Sequence, residues 1–212
     1  GPAASPAPAG RGGGQAQLAL DAPAPRTTKI GAPGPIEALT PISLAAQRID
    51  ALREAKFDAA QYTTIETLDA LKQWIARAQD TGVLALKTDT NALDPLQASL
   101  CGIALAVSPN EAAYLPLGHR EASDSEASGL FAAKLCDGQV AERDAIAALK
   151  AVLEDTSITK VGHDVKRDYL VLATRGIRLG IIDDVMLISY VLDAGKGAHD
   201  TASLADRYFG RE

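Results

Sequence analysis

Residues 83–94 carry an apolar run, Val83 to Leu86, followed by two polar side chains two positions apart, Lys87 and Asp89. Alternate residues of a β-strand share a face, so Lys87 and Asp89 are expected to project from the same side at a strand's end. Two carboxylates on that spacing can hold a pair of divalent metals for phosphodiester hydrolysis. A lysine cannot. The position has the layout of a metal-ligating pair in which one anion has become a cation.

Two further acidic clusters lie downstream. In Val161-Gly162-His163-Asp164-Val165-Lys166-Arg167-Asp168 a strand is expected to end at Gly162 and a helix to begin. Asp164 and Asp168 are four apart there and share one helical face. Asp183 and Asp184 precede the apolar Val185-Met186-Leu187. Each acid also has a structural reading. Taken singly, Asp164 is best explained as a helix N-cap, and Asp183 and Asp184 have the type and place of N-caps too.

The elements that position these residues follow from periodicity and turn chemistry. Thr67 is placed to cap a helix with Leu68, Leu71, Trp74, Ile75 and Ala78 at spacings of three and four, and Gly82 ends it. Strands are predicted over 83–88, 99–107 and 112–117, separated by the turn signals Asp94-Pro95 and Ser108-Pro109-Asn110, which makes an antiparallel meander. A polar loop covers 120–130 and a helix Val140–Leu153. A strand Ile158–Val161, a helix Val165–Thr174, a strand Leu179–Ile182 and helices Asp184–Leu192 and Ser203–Tyr208 complete the order. The order βββαβαβα predicts an α/β layer fold with a mixed sheet, a meander first and crossovers after it. Ahead of it, residues 1–35 are Ala-, Pro- and Gly-rich and read as a disordered linker or flexible arm. Residues 36–60 read as a connecting segment, with a weak amphipathic helix from Ile36 to Lys56 carrying Leu44, Ile49 and Leu52 roughly on one side.

A chain of 212 residues allows one good-sized domain and an appendage, here 61–212 and what precedes it. Aromatics make up only 4% of a chain that is 47% hydrophobic, so Ala, Leu and Val must form most of the core. The net charge of −6 and pI near 5.1 exclude a free-standing nucleic-acid binder that works by bulk electrostatics. They leave open a module held near DNA by something larger. Cys101 and Cys136 lack disulfide or metal-ligand spacing and read as two reduced thiols, Cys101 inside a strand. His119, His163 and His199 form no metal set. No signal pattern opens the chain and no apolar run reaches the roughly 18 residues of a membrane helix. The expected location is the cytoplasm.

Taken together, the strings are far more specific than any one acid. Residues 62–210 resemble the 3′–5′ exonuclease (proofreading) domain of bacterial DNA polymerase I, a member of the ribonuclease H-like exonuclease superfamily with four acidic ligands and a tyrosine. The family's first motif, Asp-Thr-Glu-Thr-x-x-Leu-Asp, is similar to Lys87-Thr88-Asp89-Thr90-Asn91-Ala92-Leu93-Asp94. Its second, Val-Gly-x-Asn-x-Lys-x-Asp, is similar to Val161–Asp168. Ala113–His119, Asp184–Leu192 and His199-Asp200 with Ser203–Arg207 resemble the family as well.

The resemblance implies a ribonuclease H-like three-layer α/β fold, a mixed five-stranded sheet flanked by helices. It also implies a two-metal mechanism with Mg or Mn held by four carboxylates. It carries the first motif's acid and glutamate onto Lys87 and Asp89, and the second-motif aspartate onto Asp168, leaving Asp89 and Asp168 as the metal ligands if any metal binds. The family's last acid falls beyond Glu212, so the domain is expected to be C-terminally incomplete. Leu93 matches the leucine that packs on a 3′-terminal base. Asp164 replaces an asparagine that faces substrate, and Lys166 and Arg167 meet a phosphate or form a solvated helix face. With Lys87 in the acid's place, the expected function is a catalytically degraded domain, a structural and DNA-proximal module in replication and repair that binds no metal. The Lys87 ammonium is expected to pair with Asp89 and Asp168. Its rivals are a working exonuclease on single-stranded DNA ends and a ribonuclease D-type exoribonuclease. DNA is the expected partner, and no membrane.

Overall fold

Side-chain caps open four of the six described α-helices. The computed structural model describes residues 40–56, 58–121 and 134–210. The expected linker and most of the polar loop at 120–130 lie outside them. Thr40 accepts the Ser43 amide and Pro41 occupies the first helical position, so helix α1 spans Pro41–Glu54 and stops two residues before the expected end at Lys56, while 36–39 of the expected helix lie outside the described residues. No residue of α1 is fully buried. Leu44, Ile49 and Leu52 are half-buried, and Arg53 Nε donates to the Tyr208 carbonyl at 3.0 Å.

Helix α2 (Leu68–Thr81) is bounded as its sequence predicts. Thr67 accepts the Ala70 amide, and Gly82 stops the helix in the left-handed conformation at φ 69°. Its buried stripe is Leu71, Trp74 and Ala78. The meander follows as β2 (Val83–Thr90), β3 (Leu100–Ser108) and β4 (Glu111–Pro116). Helix α3 (Glu142–Glu154), strand β5 (Thr159–Gly162), helix α4 (Val165–Ala173), strand β6 (Ile182–Asp184) and helices α5 (Val185–Leu192) and α6 (Thr201–Phe209) complete the order.

The sheet has six strands where five were expected, because Thr63–Thr64 forms a short β1 parallel to β4. Two residues with no apolar alternation leave no pattern to read. The order is β1-β4-β3-β2-β5-β6, with β2, β3 and β4 antiparallel and β5 and β6 parallel to β2. Strand β6 also begins later than the expected Leu179. Gly180 N donates to the Leu153 carbonyl at the end of α3, and the Ile181 carbonyl is the first to accept from β5, at Lys160 N.

Alternation along β2 buries Leu84, Leu86 and Thr88 on one face, beside Ile103, Leu105 and Leu115 of the neighbouring strands. This face joins Leu71 and Trp74 of α2, Leu149 and Val152 of α3, and Val171 and Leu172 of α4 in one core. Truncating a leucine as buried as Leu149 to alanine would cost about 2–5 kcal/mol, transfer and cavity together. The other face of β2 carries Lys87 and Asp89, as the strand period requires. Lys160 of β5 is fully buried, its ammonium donating to the Asp155 and Ile158 carbonyls. Burial pulls its pKa below the ordinary lysine value.

Candidate functional site

The end of β2 meets the first turn of α4 at Asp168, which is wholly buried. Its Oδ1 accepts from the Thr88 amide at 2.7 Å and the Thr88 hydroxyl at 2.6 Å. Its Oδ2 accepts from Lys87 Nζ at 3.0 Å, and the same ammonium donates to the His163 carbonyl at 3.1 Å. A carboxylate in the interior must be paired and hydrogen-bonded, and this one has three donors. Among the described residues Lys87 pairs with Asp168 and not also with Asp89, where both were expected.

Asp89 is held elsewhere. Its Oδ2 accepts from Tyr114 Oη at 3.0 Å, and that oxygen lies 2.8 Å from His119 Nε2. The register explains the reach: Lys87 lies opposite Ala104, which lies opposite Tyr114, while Asp89 lies opposite Gly102. Tyr114 therefore crosses diagonally over residue 102, where a Cβ would stand 2.2 Å from its hydroxyl oxygen. Only glycine leaves that path open. Burial, then the bond to Asp89, pushes the Tyr114 phenol well above its ordinary pKa. Burial and the Asp89 charge likewise raise the Cys101 thiol.

The loop between β5 and α4 is fixed from α5. Asp164 adopts the left-handed conformation at φ 53° and caps nothing with its side chain, against expectation. Asp184 takes over that role and caps two helices at once. Its carboxylate accepts from Asp164 N and Val165 N at the start of α4, at 3.2 and 2.9 Å. It also accepts from Met186 N and Leu187 N at the start of α5, at 3.0 and 3.3 Å. His163 Nε2 lies 2.7 Å from the His199 carbonyl, and His199 Nδ1 lies 2.9 Å from Ser189 Oγ, tying this loop to the approach to α6.

The remaining predicted residues separate. Leu93 stands on the loop after β2 with 89% of its surface exposed. Lys166 and Asp164 are exposed on the first turn of α4. Arg167 turns inward onto the 90–93 loop, at the Thr90 hydroxyl and the Ala92 and Leu93 carbonyls. Sequence reasoning missed the Thr88 donors and the Tyr114–Asp89 bond. A polar Thr on the buried side of β2 was the available signal for the first, and the second depends on strand register.

An antiparallel meander extended by two parallel strands and flanked by helices gives the fold class, a ribonuclease H-like mixed α/β domain. A family model described as 3′–5′ exonuclease matches residues 62–212. The DNA polymerase I of Rhizobium leguminosarum is 42% identical over 182 residues, 82% of this chain and 18% of that protein. The DNA polymerase I of Pseudomonas aeruginosa is 34% identical over 178 residues, 82% of this chain and 16% of that protein. This chain belongs to the 3′–5′ exonuclease domain family of DNA polymerase I, and it spans under a fifth of the length of these relatives. Solved structures share the fold. The EXO domain of Aedes aegypti Nibbler aligns at TM-score 0.53 and 11% identity, over 74% of this chain and 72% of that one. The POL domain of Pol1 from M. smegmatis, in complex with DNA primer-template and dNTP, aligns at TM-score 0.53 and 20% identity, over 71% of this chain and 23% of that one.

Proposed function

We propose that this domain is a DNA-proximal structural module of a cytoplasmic DNA polymerase I, acting in replication and repair, whose proofreading site no longer hydrolyses DNA. The observation that carries the reading is the 3.0 Å pair between Lys87 Nζ and Asp168 Oδ2. An ammonium about 4 Å from a divalent ion costs about 8 kcal/mol at an effective dielectric of about 20. That exceeds what a weak magnesium site supplies.

The residues present do not fit Mg2+ or Mn2+, the ions of the family, which need several oxygen ligands each. Both oxygens of Asp168 already accept from Thr88 and Lys87, and Asp89 accepts from Tyr114. Asp89 is also one methylene shorter than the family's glutamate, and a misplacement of about 1 Å can cost about 100-fold in rate. No hydrolytic step is assigned to Lys87, Asp89 or Asp168. Their role is to close the site around its own ion pair. Contact with DNA falls to Leu93 and Lys166, while the exposed Asp164 repels phosphate. Among the described residues no helix is long and apolar enough to cross a membrane.

The test is incubation of an end-labelled single-stranded oligonucleotide with the protein in Mg2+ or Mn2+, beside the K87D/D89E variant. An oligonucleotide left at full length by the native chain supports the reading. Metal-dependent release of mononucleotides that D168N abolishes would establish the rival, a working exonuclease.

A further inference from the structure

Arg167 lies one residue before the buried Asp168 and grips a different part of the chain. Its Nη1 donates to the Leu93 carbonyl at 2.5 Å, and its Nη2 donates to the Ala92 carbonyl at 2.6 Å and to Thr90 Oγ1 at 2.7 Å. A guanidinium holds its donors in one planar fork, so three bonds to three residues of a four-residue stretch fix a loop in orientation as well as distance. The loop is otherwise closed on itself. Asn91 N donates to the Ser99 carbonyl at 3.2 Å, Ser99 N donates to Asn91 Oδ1 at 2.8 Å, and Asp94 Oδ1 accepts Leu96 N at 3.0 Å. At its tip Leu93 is 89% and Leu96 63% exposed. Backbone this well fastened, with a large apolar side chain left in water, is built to present that side chain.

We infer that Arg167 is a positioning residue: through its three bonds to residues 90–93 it sets Leu93 as a fixed apolar contact for single-stranded DNA, and it touches no phosphate itself. The inference rests on the DNA-proximal reading above and deepens it. Consecutive positions on α4 then have separate tasks, Asp168 anchoring the end of β2 and Arg167 the loop that follows.

The experiment measures anisotropy of a labelled oligothymidylate at several salt concentrations with the native chain, L93A, R167K, R167M and R167M/L93A. L93A and R167M should each weaken binding by about fivefold to tenfold, and the double variant by no more than either. R167M should keep the native salt dependence, whereas loss of a phosphate contact would flatten the log–log slope by about 0.7. R167K keeps the charge but loses the fork, so it should bind as weakly as R167M. A phosphate contact would instead be largely rescued by lysine. Hydrogen exchange at 91–94 without DNA should quicken in R167M and in T90V, with melting temperatures confirming that both variants fold. Additive losses, a flattened slope, rescue by lysine or unchanged exchange would each overturn the assignment. If the native chain binds no oligothymidylate, the DNA-proximal reading fails and the contact role with it, while exchange still decides whether Arg167 fixes the loop.

Discussion

Lys87 Nζ stands 3.0 Å from Asp168 Oδ2, while the amide and hydroxyl of the adjacent Thr88 fill Asp168 Oδ1 at 2.7 and 2.6 Å. Two consecutive strand residues, facing opposite sides of the sheet, thus deliver three donors to one buried anion. Here the charge balance is internal, and it makes Lys87 part of what holds β2 to α4.

Lys87→Met should destabilise the domain by about 1–2 kcal/mol. The cost falls between that of an exposed pair and that of a fully buried one, because Lys87 is 49% exposed and Asp168 keeps its Thr88 donors. The melting temperature should fall by about 2–4 °C for each kcal/mol lost. A melting curve that does not move would remove the structural role from the pair.

Thr88→Val keeps the β-branched shape and deletes the 2.6 Å bond to a carboxylate with no exposed surface. The expected cost is about 1–3 kcal/mol. Combined with Lys87→Met, the loss should depart from the sum of the single losses by more than about 0.5 kcal/mol, since both act on one anion. Urea unfolding of the four proteins reads this coupling directly, and strict additivity would argue that the donors act independently.

Asp184→Ala should release four backbone amides, two at the start of each of α4 and α5. Loss of a cap costs about 0.5–2 kcal/mol, and serving two helices places this one at or above the upper end. Asp184→Asn retains one acceptor oxygen and should recover part of the stability. Equal unfolding midpoints for the alanine variant and the native chain would contradict the double cap.

Tyr114 gives the domain a pH signature. Its folded pKa is raised above the ordinary tyrosine value of 10.0, by burial first and then by the bond to Asp89. The folded state therefore favours the protonated phenol. That contribution is fully present below pH 10.0 and is lost as pH rises above it toward the folded pKa. The stability difference between the native chain and Tyr114→Phe should accordingly narrow above pH 10.0, and the Tyr114 component of the 295 nm titration should lie to the alkaline side of free tyrosine. A difference that widens above that pH would reverse the assignment.

Local signals were readable in the sequence, and long-range ones were not. Thr67 and Gly82 bracket α2 because capping is decided within four residues. Asp200 accepting from Ser203 N extends α6 two residues beyond its apolar pattern for the same reason, a cap that periodicity alone does not see. The alternation Leu84, Leu86, Thr88 against Lys87 and Asp89 was legible, and the strand carries the two sets on opposite faces as it predicts. Tyr114–Asp89 was hidden, because it joins residues 25 apart through a register that needs Gly102 between them. Lys160 was hidden too: its carbonyl partners come from the turn after α3, and no pattern within β5 marks that lysine as buried. Asp164 misled because a carboxylate before a helix reads as a cap until a better-placed one, Asp184, takes the amides.

Manganese titration followed by electron paramagnetic resonance tests most directly whether a fixed cation has replaced the catalytic ions. Native protein should leave the free Mn2+ signal undiminished up to protein concentrations at which K87D/D89E begins to quench it. Uptake of two ions by the native chain, abolished by D168N, would contradict the account.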